Sequence, residues 1–317
     1  MIQRKHFLLL TLFSVAASQC MGSALAHSDK EKITSAKVLA LSNSVTWRRS
    51  GMRHLYDRMD AVRFGATQTG RWSIGQYQSW TLGDLNCDHQ FVLLGTDFKI
   101  SDQAVIGTTV DFGKGTSYYS SGVTDSETLG TSLYGTYCWN NGSYVGAMMK
   151  LGLLRLKSIF DQDKNQQNIP GIYMGTEYGY RWTPVKSIVI DPQIRLTYSR
   201  LEAEDMSVNQ DSIRYDATEN LVFALKLKGQ KTFTKETQAY VVLGYYRDLL
   251  GRISGRFSQS GSYESFTASL FDSWGRAKLG ADYRLDDRIS ASLQAEKTFG
   301  PEYRDATHIS CSAKYQF

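Results

Sequence analysis

Beyond residue 26 the sequence has no apolar run of the roughly 20 residues that a membrane-spanning helix needs. Cysteine is scarce: only Cys87, Cys138 and Cys311 follow residue 26, and an odd, widely spaced set does not form a disulfide framework. Gly-x-Ser-x-Gly, His-Glu-x-x-His and phosphate-loop motifs are missing, and the cysteine spacings do not suit a metal. We therefore expect no enzymatic activity, no cofactor and no metal.

The sequence also has only a small excess of positive over negative charge. The net charge of +5 is small and spread along the chain, which gives no basis for nucleic-acid binding. Aromatic residues and glycine are abundant instead, with 19 Tyr, 14 Phe, 6 Trp and 27 Gly. Tyrosine and tryptophan can form the aromatic girdles of a membrane β-barrel, whose alternating strands allow a mean hydropathy as low as −0.34.

Residues 1–26 have the three parts of a secretory signal peptide. Arg4 and Lys5 give a positive start, about 11 apolar residues follow, and Ala24-Leu25-Ala26 supplies the small residues of a cleavage site. A membrane helix is the alternative, but the apolar run is too short for one. Cys20 raises the possibility of a lipoprotein, although the residues before it are a poor lipidation signal.

From about residue 70 apolar and polar residues alternate with a period of two, which predicts half-buried β-strands. Leu221, Phe223, Leu225 and Leu227, for example, alternate with Ala224, Lys226 and Lys228. A soluble sandwich would alternate too, but many of these strands are far longer than the usual five or six residues. The pattern predicts twelve strands: 70–82, 89–100, 102–113, 126–139, 143–159, 168–182, 186–202, 211–229, 236–249, 272–285, 287–299 and 304–317.

The junctions between these strands alternate between tight turns and mostly longer loops, including loops at 114–125 and 250–271. Short turns at one end, long loops at the other and an even strand number are typical of outer-membrane barrels. Closure also removes the unpaired strand edges, which lipid penalises. We therefore predict an all-β fold, a 12-stranded antiparallel transmembrane barrel in the bacterial outer membrane.

The last strand is apolar at every second position and ends at an aromatic residue, Phe317. This ending resembles the signal that outer-membrane assembly machinery recognises. We expect Tyr315 and Phe317 to carry that signal.

Residues 28–69 have a different periodicity, because their apolar residues recur at helical spacings of three, four or seven. The firm helix is expected at about 44–64. About 20 helical residues span roughly 30 Å, the depth of a membrane barrel, so the helix could thread the lumen. It could instead cap the barrel from the periplasm or form a coiled-coil strand. The helical segment carries several arginines: Arg48, Arg49, Arg53, Arg58 and Arg63.

The order of these parts resembles the autotransporter β-domain family across residues 50–317. Several short motifs match in order and spacing: 55–63, 70–72, 94–98, 179–182, 191–199 and 279–285. The resemblance implies a pore helix at 44–66 and a barrel at 67–317. It also implies that the barrel moves an N-terminal passenger to the cell surface, helped by barrel-assembly machinery and periplasmic chaperones. We expect contact with outer-membrane lipid and a monomeric barrel.

One departure from the family is the passenger, because residues 27–43 would be only a short linker or a vestigial passenger. We therefore expect a type V secretion translocator that is truncated or carries a minimal passenger. A stand-alone porin-like channel is one alternative. A surface adhesin or enzyme acting through the extracellular loops is another, and His89 and His308 near the rim would be its only histidine candidates.

Inward-facing charges are the candidate site. In one interpretation the acidic groups pair with helix arginines and hold a plug, while the other charges set ion preference; in the other, they are ordinary solvated lumen residues. The predicted lumen and helix-plug contacts are Arg48, Arg53, Arg58, Arg63, Glu177, Asp191, Arg195, Arg276 and Asp282.

Overall fold

A computed structural model describes most of the chain after residue 36. The described residues are Lys37, Ala40, 42–47, 52–63, 69–82, 85–119, 122–160, 163–208, 211–259, 262–269, 272–300 and 306–317. The predicted signal peptide and Arg48 lie outside them, as does the side chain of Arg53. Residues 42–47 are helical, and helix α1 spans Met52–Arg63. Among the helices of the described part, none is long and apolar enough to cross a bilayer.

The described residues after α1 form seventeen strands. These are β1 (Arg71–Leu82), β2 (Leu85–Lys99), β3 (Ala104–Tyr119), β4 (Gly122–Cys138), β5 (Ser143–Phe160), β6 (Asp163–Tyr180), β7 (Trp182–Val185), β8 (Ile188–Leu201), β9 (Glu204–Val208), β10 (Asp211–Tyr215), β11 (Thr218–Thr232), β12 (Thr237–Asp248), β13 (Arg252–Gln259), β14 (Ser262–Ser269), β15 (Ser273–Arg284), β16 (Ile289–Phe299) and β17 (Ala306–Gln316).

Twelve of these strands form one closed antiparallel barrel, as predicted. They are β1 to β6, β8, β11, β12, β15, β16 and β17, each paired with its two neighbours in that order. The barrel closes where β1 pairs with β17, from Trp72 opposite Gln316 to Leu82 opposite Ala306. The short β7 continues past β6 against β8. The other four strands form two hairpins at one end of the barrel.

The two faces of each barrel strand differ as the alternation predicts. On β11, Leu225 and Leu227 are exposed on the outer surface, whereas Lys226 and Lys228 line the interior. Large exposed apolar side chains recur around the whole barrel. A soluble protein rarely exposes so large an apolar surface, which is instead the lipid-facing band of a membrane barrel.

Tight turns close one end of the barrel, which we call the turn end. The turn at 139–142 depends on Gly142, whose φ of 91° lies in the left-handed region, and Asn141 accepts a hydrogen bond from the amide of Ser143 at 2.9 Å. The sequence Asn140-Asn141-Gly142 predicts this turn. The opposite end, where β1 ends and β2 begins, carries the two hairpins.

Helix α1 lies inside the barrel. Leu55, Tyr56 and Met59 share one face of the helix, and all three are buried. They pack against inward side chains of the wall, including Trp72, Ile74, Phe91, Leu93, Tyr134, Met148 and Tyr173. Arg63 in the last turn is favourable to the helix dipole. The predicted helix in the lumen is therefore present.

Several predicted loop boundaries are wrong because the strands extend beyond the membrane-spanning length. The predicted loop 114–125 is largely strand, since β3 reaches Tyr119 and β4 begins at Gly122. The predicted loop 250–271 contains the hairpin of β13 and β14. The predicted strand 211–229 is divided into β10 and β11 by residues 216–217, because β10 pairs with β9 and β13 instead of with a barrel neighbour.

Candidate functional site

The first contact between helix and wall joins Arg58 of α1 to Asp97 of β2. The Arg58 guanidinium donates two hydrogen bonds to the Asp97 carboxylate, one of them from Nε at 2.9 Å. Tyr134 and the indole N–H of Trp72 donate to the other carboxylate oxygen. The Arg58 side chain is only 7% exposed and that of Asp97 is fully buried, so the whole group is shielded from water.

A second contact lies one turn further along α1, near the turn end. Arg63 donates to Glu177 of β6 at 2.7 Å and to the hydroxyl of Thr136 at 2.7 Å. The other oxygen of Glu177 accepts a hydrogen bond from Arg195 of β8 at 2.8 Å. Glu177 therefore ties one helix arginine to one wall arginine. Buried pairs of this type are costly to break, since a lone charge is then left out of water.

The other predicted site residues lie in the lumen, in contacts with neighbouring wall residues. Asp191 accepts hydrogen bonds from Tyr144 at 2.7 Å and Gln193 at 2.9 Å. Arg276 lies 3.3 Å from Glu296 on the neighbouring strand. Asp282 accepts a hydrogen bond from Gln238 at 2.9 Å. The structure thus joins Arg58, Arg63, Glu177 and Arg195 into helix–wall contacts and places Asp191, Arg276 and Asp282 in wall contacts.

One buried ion pair includes a lysine that the sequence-based candidates lack, although Asp111 is among the inward-facing charges expected from strand parity. Lys150 of β5 donates to Asp111 of β3 at 2.6 Å, and both side chains are almost fully buried. The Lys150 ammonium also lies 5.0 Å from the ring centre of Trp47, which precedes α1. Strand parity could have revealed this lysine, because it falls on the same face as Tyr144 and Met148.

A cap covers the hairpin end of the barrel. We use this name for β9, β10, β13 and β14, which form one sheet because the two hairpins pair through β10 and β13. In the sequence, β9 and β10 are inserted between the barrel strands β8 and β11, and β13 and β14 between β12 and β15. Their side chains nevertheless pack on β1, β2, β3 and β17, on the opposite side of the barrel. The buried cluster includes Met206, Ile213, Tyr215, Ile253, Phe257 and Phe266 of the cap together with Trp80, Leu85, Cys87, Tyr119 and Ala306 of the wall.

The chain before α1 reaches the underside of this cap. Ala40 and Val45 belong to the same buried apolar cluster. Ser42 donates a hydrogen bond to Ser117 of β3 at 3.1 Å. The polypeptide inside the pore therefore runs from the cap, at residue 40, to the turn end, at Arg63.

The histidines considered for catalysis are engaged in ordinary polar contacts. His89 lies within 3.2 Å of the Ser126 hydroxyl, and His308 within 3.1 Å of the Gln78 side-chain oxygen. Both histidines are buried in the lumen. Cys87, Cys138 and Cys311 are free thiols.

The predicted assembly signal lies at the turn end, on the outside of the barrel. The Phe317 amide donates to the carbonyl of Arg71 at 3.0 Å, which continues the closing strand pair. The ring of Phe317 is 67% exposed and packs edge-to-face on Tyr315, with 4.8 Å between ring centres. An exposed aromatic ring packed on a half-buried tyrosine at a strand end suits the aromatic girdle of a membrane barrel.

These features define the class of the protein: an outer-membrane β-barrel whose pore is occupied by a helix from its own chain. The sequence matches the profile of the autotransporter beta-domain over residues 65–296. The chain therefore belongs to the autotransporter β-domain family, and it is an outer-membrane translocator barrel.

Solved structures with the same fold include two translocators. The translocator domain of the autotransporter NalP from Neisseria meningitidis has a TM-score of 0.66 and 15% identity, over 89% of this chain and 98% of that one. The beta domain of the Bordetella autotransporter Brka has a TM-score of 0.61 and 14% identity, over 78% of this chain and 99% of that one.

A curated relative is the serine protease EatA of Escherichia coli O78:H11 (strain H10407 / ETEC). It is 22% identical over an alignment of 267 residues, which covers 78% of this chain. The chain spans only 18% of the length of that relative.

Proposed function

We propose that the barrel carries the segment preceding α1 through its own pore to the cell surface, with α1 left behind as a plug. The observation that supports this most is the direction of the chain inside the pore. Residue 40 lies beneath the cap and Arg63 lies at the turn end. A chain in this direction has its N-terminal side facing out of the cell when the turn end faces the periplasm, as in outer-membrane barrels.

The ion pairs of Arg58 and Arg63 are the proposed holding contacts of the plug, and the cap closes the pore above it. In this proposal the pore helix covers 44–66, the barrel covers 67–317, and residues 27–43 link the helix to the transported segment. The barrel-assembly machinery and periplasmic chaperones are the proposed partners of insertion, and the barrel acts as a monomer. The translocator makes and breaks no covalent bond in this proposal, so it is not an enzyme.

Surface labelling tests the proposed direction. An epitope tag inserted after residue 27 should bind antibody on intact cells, because the proposed path ends outside. The matched control carries the same tag within the turn at 233–236, which lies at the turn end and should be labelled only after the outer membrane is permeabilised. If the first tag stays hidden while the barrel is inserted, or the control tag is labelled on intact cells, the proposal fails.

A stand-alone channel is a second candidate, and one observation favours it: α1 leaves a cavity of about 330 Å³ in the lumen. The two functions differ in what the intact barrel conducts. A plugged translocator should conduct weakly in a planar bilayer, and deletion of residues 28–64 should raise the current sharply. A channel should conduct equally well with and without those residues.

A further inference from the structure

The cavity beside α1 follows one side of the barrel. The helix packs towards the side of β1 to β6, through contacts such as Met59 with the cluster of Trp72 and Tyr134. The opposite side, formed mainly by β8, β11, β12, β15 and β16, is left open along the helix. Its volume of about 330 Å³ is within the range of small-molecule sites.

Basic side chains dominate this cavity. Seven basic and four acidic side chains line it: Arg181, Arg195, Lys226, Lys228, Arg276, Lys278 and Lys314 against Asp57, Asp60, Asp282 and Glu296. A low-dielectric cleft lined by an excess of one sign concentrates its electric field and attracts counter-ions. The cavity therefore favours anions.

The strand register brings the central cations together. Lys226 of β11 is opposite Gly244 of β12, and Gly244 is opposite Arg276 of β15. Because glycine has no side chain, the uncharged ring of Tyr246 can lie over this position of β12, 2.7 Å from where a Cβ on Gly244 would be. Arg195 follows on β8, opposite Ala224, the residue two positions before Lys226 on the same face.

The acids close to these cations are already engaged with other groups. Glu177 accepts from Arg63 and Arg195. Asp60 lies 3.1 Å from Arg63 and 3.5 Å from Lys228. Glu296 lies 3.3 Å from Arg276. Lys226 has neither a hydrogen bond nor an ion pair with any residue in the described part of the chain, although its side chain lines the cavity.

An aromatic stack backs the same wall. The rings of Tyr246 and Trp274 are stacked, with 5.4 Å between centres and 12° between planes. The Arg276 guanidinium lies 4.4 Å from the centre of the Tyr246 ring. This stack restrains Arg276, which reduces the ordering that binding would otherwise require.

We propose that this wall is a binding site for a small multivalent oxyanion, of the phosphate or carboxylate type, with Lys226 as its central ligand and Arg276 and Lys278 beside it. The lining runs from Lys314 near the turn end to Trp80 and Ala306, which pack in the buried cluster of the cap. The anion therefore enters from the periplasmic side. The site is independent of whether the barrel transports a passenger.

Calorimetric titration of the full chain in a zwitterionic detergent tests the site. Inorganic pyrophosphate and citrate serve as separate probes, one for phosphate and one for carboxylate chemistry. We expect at least one of them to bind, and the tighter one assigns the class. Lys226→Gln removes a charge-assisted contact, so it should weaken binding of the tighter probe about tenfold.

Two variants make the result specific. Lys226→Arg keeps the positive charge and should retain binding within a small factor. Lys231→Gln removes the same charge from the same strand on the exposed, outward side, and should leave binding unchanged. Heat-modifiable gel migration verifies that each variant forms a barrel. If neither probe binds, or if Lys226→Gln and Lys231→Gln bind alike, the proposal is overturned.

Discussion

Replacing Glu177 with glutamine tests whether ion pairs hold the helix in the pore. Glu177 is the common acceptor of Arg63 and Arg195. The side chains of Arg63 and Glu177 are both 0% exposed, so water and salt screen their attraction little. Breaking a buried pair of this type costs about 3–5 kcal/mol of folding free energy, because the arginine charges lose their counter-ion.

Only part of this cost changes the position of the helix. Arg195 belongs to the wall and keeps its contact with Glu177 whether or not the helix is bound. Arg63 belongs to α1, and its lost charge-assisted hydrogen bond is worth about 1.5–3 kcal/mol. We therefore expect Glu177→Gln to favour the open pore by about 30-fold, since each 1.4 kcal/mol changes an equilibrium constant tenfold.

Single-channel recording measures this shift as the fraction of time spent in the high-conductance state. Glu219→Gln is the matched control, because Glu219 pairs with Arg200 at the surface and both side chains are 38% exposed. Such a pair contributes less than about 1 kcal/mol and lies outside the helix contact. If Glu177→Gln and Glu219→Gln open the pore equally often, ion pairing does not hold the helix and the reasoning is refuted.

Three further predictions concern the interior, the closing strand and the cap. Lys150→Met should lower the free energy of unfolding, measured in urea, by about 3–5 kcal/mol, because it leaves the buried Asp111 charge without its partner. The double variant Lys150→Met with Asp111→Leu should recover most of that loss, and an equal loss in the single and double variants would contradict this reasoning. Deleting Phe317 should reduce the heat-modifiable barrel in the membrane fraction, and an unchanged yield would show that the residue is not an assembly signal. Deleting residues 253–268 should expose the chain around Ala40, so that added protease cleaves it faster on intact cells; an unchanged rate would mean that the cap does not shield it.

The alternation of side chains was sufficient to predict the barrel, because lipid outside and polar groups inside impose a period of two on every strand. The same parity placed Glu177 and Arg195 inside the lumen. The helical spacing of Leu55, Met59 and Val62 likewise predicted a helix with a buried face. These features depend on local sequence, which a single chain displays directly.

The cap could not be predicted in the same way. Strand β10 alternates like a barrel strand, so 211–229 reads as one continuous element. Its partner β13 lies about 40 residues further along the chain, and the apolar contacts of Ile213 with Trp80 and Leu85 are more distant still. Alternation shows that a strand has two faces, but it does not show which strand or surface covers them.

The particular partners of the helix arginines were also beyond the sequence. Asp97, Asp191 and Glu177 are all inward acids, and choosing among them requires the rotation and depth of α1 in the pore. That position follows from packing of Tyr56 and Met59 against the wall.

Lipid-borne quenching tests the central claim most directly, that apolar side chains face the bilayer while charge and the helix fill the interior. A fluorophore is attached to single cysteines at Leu225, Lys226 and Leu227 of β11 and at Ala61 of α1, in bilayers with nitroxide-labelled acyl chains. The account predicts strong quenching at Leu225 and Leu227 and weak quenching at Lys226 and Ala61. Equal quenching along β11, or strong quenching at Ala61, would contradict it.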